Sequence, residues 1–170
     1  MKNKKLKTYT LSIIIPLAVG GASALLTRNN MDIYKDIIEP PLSPPMSWFP
    51  VVWTILYILM GISSALIFLC YKDPHECKCR GDKISKEDAF DGLFFYAISL
   101  FLNFFWSIIF FNLRTYLLAF VWLVALWVII LKTITKYKKV CPFAAALQIP
   151  YLLWVAFAGY LTFGVYWLNM

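Results

Sequence analysis

The sequence predicts an all-α integral membrane protein: a bundle of five transmembrane helices with the N-terminus in the cytoplasm and the C-terminus outside. Three observations carry that expectation. The 170-residue chain is 61% hydrophobic and 18% aromatic but only 15% charged, whereas a soluble domain carries about 25% charged residues. Its apolar residues gather into five long stretches flanked by charge. Thirteen of its sixteen basic residues fall in the N-terminal tail and in the second and fourth loops, the asymmetry that orients helices in a bilayer.

The stretches are approximately Tyr9–Leu26, Pro45–Tyr71, Phe90–Phe111, Tyr116–Leu131 and Pro142–Leu168. A hydrocarbon core of about 30 Å takes about 20 helical residues to cross. The first and fourth stretches are short by that measure and the fifth is long. All five read as helices, because a backbone in lipid must satisfy its polar groups within the segment.

Stretch one follows Lys2, Lys4, Lys5 and Lys7 and contains Gly20, Gly21 and Ala24, small residues that let helix backbones approach. The same run, ending in "ASA", also fits a secretory signal with a cleavage site. Stretch two begins inside "EPPLSPPMSWFP". There Ser43 is expected to cap the helix and Pro44 and Pro45 to occupy its first turn. Pro50, deeper in, is expected to kink it. Residues 27–44, stiffened by Pro40 and Pro41, are expected to form a lid that brings Pro45, Trp48 and Phe49 to the rim of a pocket.

Lys72, Lys78, Arg80, Lys83 and Lys86 mark loop two as cytoplasmic, and Lys132, Lys136, Lys138 and Lys139 mark loop four. Only Arg28, Lys35 and Arg114 lie on the other side. The net charge of +7 therefore reflects topology, and no nucleic-acid partner is expected.

What is missing excludes several function classes. Every acidic and basic residue lies outside the five stretches or at their edges, unlike in ion-coupled transporters and pumps. The only histidine, His75, is in a loop, so a nucleophile–His–acid triad is unsupported. No glycine-rich phosphate loop is present. Cys70, Cys77 and Cys79 lie in or near loop two and Cys141 near loop four, where a reducing cytoplasm argues against disulfides. "HECKC" offers three soft ligands, His75, Cys77 and Cys79, where a closed zinc site takes four. No metal is expected on that reading.

The helices carry three polar–aromatic stripes: Trp53 and Tyr57 in the second; Ser99, Asn103, Trp106 and Phe110 in the third; Tyr151, Trp154, Ala158 and Thr162 in the fifth. Together they suit one cavity for a flat, largely apolar ligand with a few polar handles. The alternative for each residue is packing, interfacial anchoring or helix–helix hydrogen bonding. Trp48, Trp122, Trp127 and Trp167 favour that alternative.

"YKDIIEPPLSPPMSWFPVVWTILYILMG", "LNFFWSIIFF" and "PYLLWVAFAGYL" resemble the three signature regions of the TspO/MBR family, the tryptophan-rich sensory and translocator proteins. The resemblance runs along essentially the whole chain. Tyr34, Pro40, Pro44, Pro45, Trp53, Tyr57, Asn103, Trp106, Pro150, Tyr151 and Trp154 are all in register. It implies a five-helix bundle, a homodimer, and a pocket covered by the first loop that binds tetrapyrroles such as protoporphyrin IX or haem, with no cofactor required. It also implies ligand contacts at Tyr34, Pro45, Phe49, Trp53, Tyr57, Ser99, Asn103, Trp106, Tyr151, Trp154 and Ala158. A second activity, light- and oxygen-dependent porphyrin degradation, would rest on Trp53 and Trp154. A bacterial member would sit in the cell membrane.

The sequence departs from the family pattern at Glu39, Leu42, Ser47, Ser99 and Thr162, which alters the polar handles. No Lys or Arg follows Lys139, so the sterol motif of animal members is incomplete.

Overall fold

The computed structural model describes residues 2–35, 37–74, 77, 79 and 85–170, with the side chains of Lys2 and of residues 32–35 left out of the description. His75 therefore lies outside the described residues. Among the described residues every regular element is a helix, with no strand. These elements are α1 (Lys2–Thr27), a 3₁₀ segment (Arg28–Lys35), α2 (Trp48–Lys72), α3 (Lys86–Ser107) running into a π-helical turn (Ile108–Asn112), α4 (Tyr116–Val140) and α5 (Pro142–Leu168). Five helical spans are each long and apolar enough to cross a membrane.

The helices run past the apolar stretches because hydropathy locates the lipid-exposed span, not the end of the hydrogen-bond ladder. α4 continues from Leu131 to Val140, and these extra turns, about two and a half, are amphipathic. Thr133, Tyr137 and Val140 are buried, while Lys136 pairs with Asp88 and Asp91 on α3 at 2.9 and 2.8 Å. α3 begins at Lys86 because Ser85 caps it, its hydroxyl accepting from the Asp88 backbone N–H at 3.2 Å.

The start of α2 corrects three expectations: the helix begins at Trp48, so Pro44 and Pro45 precede it and do not form its first turn. Ser43 does not cap the helix; its hydroxyl donates to the Pro40 carbonyl at 2.8 Å, closing a turn well before Trp48. Pro50 is the third residue of α2, not a deep one. Its missing N–H falls among the first four donors, which have no intrahelical partner in any helix, so it breaks nothing.

Neighbouring helices follow one another around the bundle in the order α1–α2–α5–α4–α3 and back to α1, with α2 also touching α3. A single extended residue, Cys141, separates α4 from α5. α1 is the least enclosed: 17% of its apolar window is buried, against 44% for α2 and for α5. It is held to α2 by close backbone contact. A Cβ on Gly61 would lie 2.5 Å from the Ile13 Cα and 2.8 Å from the Ser12 carbonyl oxygen, the carbonyl that Pro16 cannot bond.

The core also contains two cross-ties. The Ser63 hydroxyl donates to the Ala144 carbonyl at 2.7 Å, and the Trp122 indole to the Leu102 carbonyl at 2.7 Å. Trp48 and Trp167 are 62% and 63% exposed, both at the end of the bundle where residues 38–44 lie.

The cysteines overturn another expectation. Cys70 is joined to Cys77 and Cys79 to Cys141. The end of α2 and the α4–α5 corner meet at one end of the bundle, and residues 77 and 79 fold back between them.

Candidate ligand cavity

A cavity of about 280 Å³ opens between α1, α2 and α3. α2 contributes Phe49, Trp53 and Tyr57, and α3 contributes Asn103 and Trp106. The spacing of Trp53 and Tyr57, four apart, stacks their rings at 5.5 Å. Trp53 also lies 6.3 Å from the Trp106 ring and 6.2 Å from the Tyr151 ring. The wall is thus a continuous aromatic surface. No acidic or basic side chain lines this cavity among the described residues.

Polar groups cross the aromatic wall at one place. The Tyr57 hydroxyl donates to Asn103 Oδ1 at 2.8 Å, and Asn103 Nδ2 donates to the Tyr151 hydroxyl at 3.2 Å. Asn103 is 2% exposed and Tyr151 1%, so each relies on the others for satisfaction. Two buried indole N–H groups, on Trp106 and Trp154, find no acceptor among the described residues. An unpaired buried donor costs about 1–3 kcal/mol, which a ligand with acceptor atoms would recover.

The three stripes do not line one cavity. α5 stands behind the aromatic wall: Tyr151 packs on Trp53, and Trp154 meets Phe49 edge-on at 5.9 Å. Ala158 and Thr162 line a separate space of about 20 Å³ under residues 39–44, room for about one water. Phe49 and Trp106 border both spaces. Ser99 lines neither; it is buried and donates to the Tyr96 carbonyl at 2.7 Å. Pro45 and Trp48 are exposed and line neither, whereas Pro44 borders the smaller space. Tyr34 lies in the 3₁₀ segment, and its side chain is outside the described residues.

α1 is the wall that the stripes did not predict. Leu17, Gly20, Gly21, Ser23, Ala24 and Thr27 close one side of the cavity. Gly20 is required there, since a Cβ at this position would overlap the Tyr57 ring. Small residues at 20, 21 and 24 signal a close approach, but not whether a helix or a ligand makes it.

Residues 38–44 are fastened to α5. Pro40 sits over Gly164, where a Cβ would lie 2.6 Å from the Pro40 Cβ. The Tyr160 hydroxyl donates to the Pro41 carbonyl at 3.0 Å. Asn169 makes a reciprocal pair with Ile38, accepting from its N–H at 2.8 Å and donating to its carbonyl at 3.1 Å. In the turn Pro40–Ser43, Leu42 takes φ 68°, a left-handed position usually given to glycine or asparagine.

Residues 12–168 match the model of the TspO/MBR family. The chain is 36% identical to the tryptophan-rich protein TspO of Chlorobaculum tepidum over 98% of this chain and 99% of that one. It is 32% identical to the TspO protein of Archaeoglobus fulgidus, over 93% and 94% respectively. It is 36% identical to the translocator protein of Ovis aries over 76% of this chain and 70% of that one.

Proposed function

The chain belongs to the TspO/MBR family, and from that premise we propose that this multi-pass membrane protein is a receptor, sensor or carrier for tetrapyrroles. The observation that carries the reading is the aromatic cavity beside the Tyr57–Asn103–Tyr151 chain. Flat ring faces at Trp53 and Trp106 suit a planar macrocycle. The unpaired indole donor of Trp106, which borders the cavity, suits a peripheral carboxylate. At about 280 Å³ the space is just below the range of small-molecule pockets, which run from about 300 Å³ upwards. Rotation of Phe49 would join it to the space under the lid, bringing Ala158 and Thr162 into contact with the ligand. Tyr34 and Pro45 remain proposed contacts from the lid. The family pattern also implies a homodimer, and the uncovered face of α1, with Leu11, Ile14 and Ile15 exposed, is available to lipid or to a second copy.

A second reading is photooxidative degradation of bound protoporphyrin. Trp53 favours it, lying within ring contact of Tyr57, Trp106 and Tyr151 in a chain of oxidisable side chains. No residue acts as acid or nucleophile in that scheme; the porphyrin absorbs the light.

Titration of the purified protein with protoporphyrin IX, in the dark and under light, tests both. Saturable binding with an intact porphyrin spectrum, weakened in Phe49→Ala and Trp53→Phe, supports a sensor or carrier. Conversion to a new chromophore that disappears in Trp53→Phe and Trp154→Phe supports the enzyme. Absence of saturable binding overturns the tetrapyrrole assignment.

A further inference from the structure

All four cysteines of the chain converge at the end of the bundle opposite the lid. The sulfurs of Cys70, Cys77 and Cys79 lie within 4.8 Å of one another, and Cys141 is bonded to Cys79. They arrive from three places: the last turn of α2, the folded-back loop, and the one-residue corner before α5. Cys70 and Cys141 are 3% and 0% exposed, while Cys77 and Cys79 are half-buried. The HECKC motif by itself offers three ligands, Cys77 and Cys79 with His75. The fold supplies Cys70 and Cys141, and with them a complete sulfur set.

The geometry points to a tetrathiolate zinc site formed by Cys70, Cys77, Cys79 and Cys141 when the four are reduced. Zinc takes four sulfurs tetrahedrally at about 2.3 Å, which sets neighbouring sulfurs about 3.8 Å apart. The sulfurs of Cys70, Cys77 and Cys79 already lie within 4.8 Å of one another, and that of Cys141 is bonded to Cys79, so the fourth ligand stands beside the other three. A closed sulfur-only set selects zinc among the abundant divalent ions, since magnesium and calcium require oxygen. The net negative charge of such a site is met by sequence neighbours: Lys72, Lys78, Arg80 and Lys139 each stand within two residues of a cysteine. Nearby cations also favour the thiolate that zinc requires.

The compartment supplies the reducing step. Basic residues orient this end towards the cytoplasm, where disulfides are kept reduced. Two molecules of a dithiol reductant deliver four electrons and four protons to the two disulfides, giving four thiols and two oxidised dithiols. Zinc binding then releases the four protons. The bound ion would staple α2 to the α4–α5 corner. Its place at the far end of the bundle leaves the aromatic cavity untouched, so the site stands independently of the ligand assignment.

The test is cobalt titration of the full chain in detergent after reduction, followed by zinc competition and metal analysis of protein purified anaerobically without chelator. The expected result is about one metal ion per chain, thiolate-to-cobalt charge-transfer bands, and the d–d envelope of a tetrahedral site, displaced by zinc. Cys141→Ser and Cys70→Ser should each abolish the tetrahedral spectrum while the protein still elutes as a helical, detergent-solubilised species. Failure of the reduced wild-type chain to take up stoichiometric cobalt overturns the proposal, and needs no variant to fold. So does metal uptake undiminished in the four-serine variant, or isolation of both disulfides intact from reducing cells under thiol-trapping conditions.

Discussion

Asn103 shows how much can depend on one side chain inside a membrane protein. It accepts from Tyr57 and donates to Tyr151, so α2, α3 and α5 meet through a single amide. Replacing it with alanine leaves two buried phenols without their partner. Unpaired buried groups cost about 1–3 kcal/mol each in water-soluble proteins, but interhelical hydrogen bonds in lipid average about 0.6 kcal/mol, because chains unfolded in the membrane find other partners. The expected destabilisation of Asn103→Ala is therefore about 1 kcal/mol, read as a lower melting midpoint in detergent with helicity retained. Gly20→Val should act on both stability and binding: the Tyr57 ring occupies the position of the new side chain, so the ring must move and its bond to Asn103 with it. Protoporphyrin affinity should fall at least about tenfold, the equivalent of 1.4 kcal/mol, and the melting midpoint at least as far as in Asn103→Ala. An unchanged midpoint with unchanged affinity would refute the close packing of α1 on Tyr57.

At the scale of elements, residues 38–44 are held from α5 rather than from α2, which they precede. Pro40, Pro41 and Ile38 find Gly164, Tyr160 and Asn169, more than a hundred residues away. Pattern reading reaches neighbours three and four apart on one helix; it has no access to a pairing across 131 positions. The proline-rich stretch itself was legible as stiff, and stiffness lowers the entropy of ordering a loop. Its local geometry was not, because Ser43 bonds backwards to Pro40 in preference to capping forwards. Asn169→Ala removes two lid bonds without touching either cavity. It should speed ligand release several-fold in stopped-flow dissociation, with a smaller effect on binding rate. Pro40/Pro41→Gly/Gly should act in the same direction, and unchanged release in both variants would exclude a lid.

For the whole molecule, hydropathy made the five spans legible in advance, and the asymmetry of basic charge predicts their direction. Single cysteines introduced at Lys4 and Lys138 in a four-serine background should react with a membrane-impermeant thiol reagent only after the inner face is opened. One at Met170 should react in intact cells. The reverse pattern would invert both the topology and the compartment assigned to the cysteine cluster.

The sequence by itself determined the class of solvent, the number of spans and the family, because each rests on composition or on local patterns of apolar, basic and signature residues. It also marked Trp53, Tyr57, Asn103 and Trp106, whose spacing along single helices places them on one wall. The tertiary structure alone decided that α1 rather than α5 closes the cavity, that Phe49 divides it from the space over Ala158, and that four dispersed cysteines share one small volume. In lipid no hydrophobic force sorts one apolar face from another. Which faces meet is left to close packing and a few hydrogen bonds between distant residues, and these come into being only when the helices assemble.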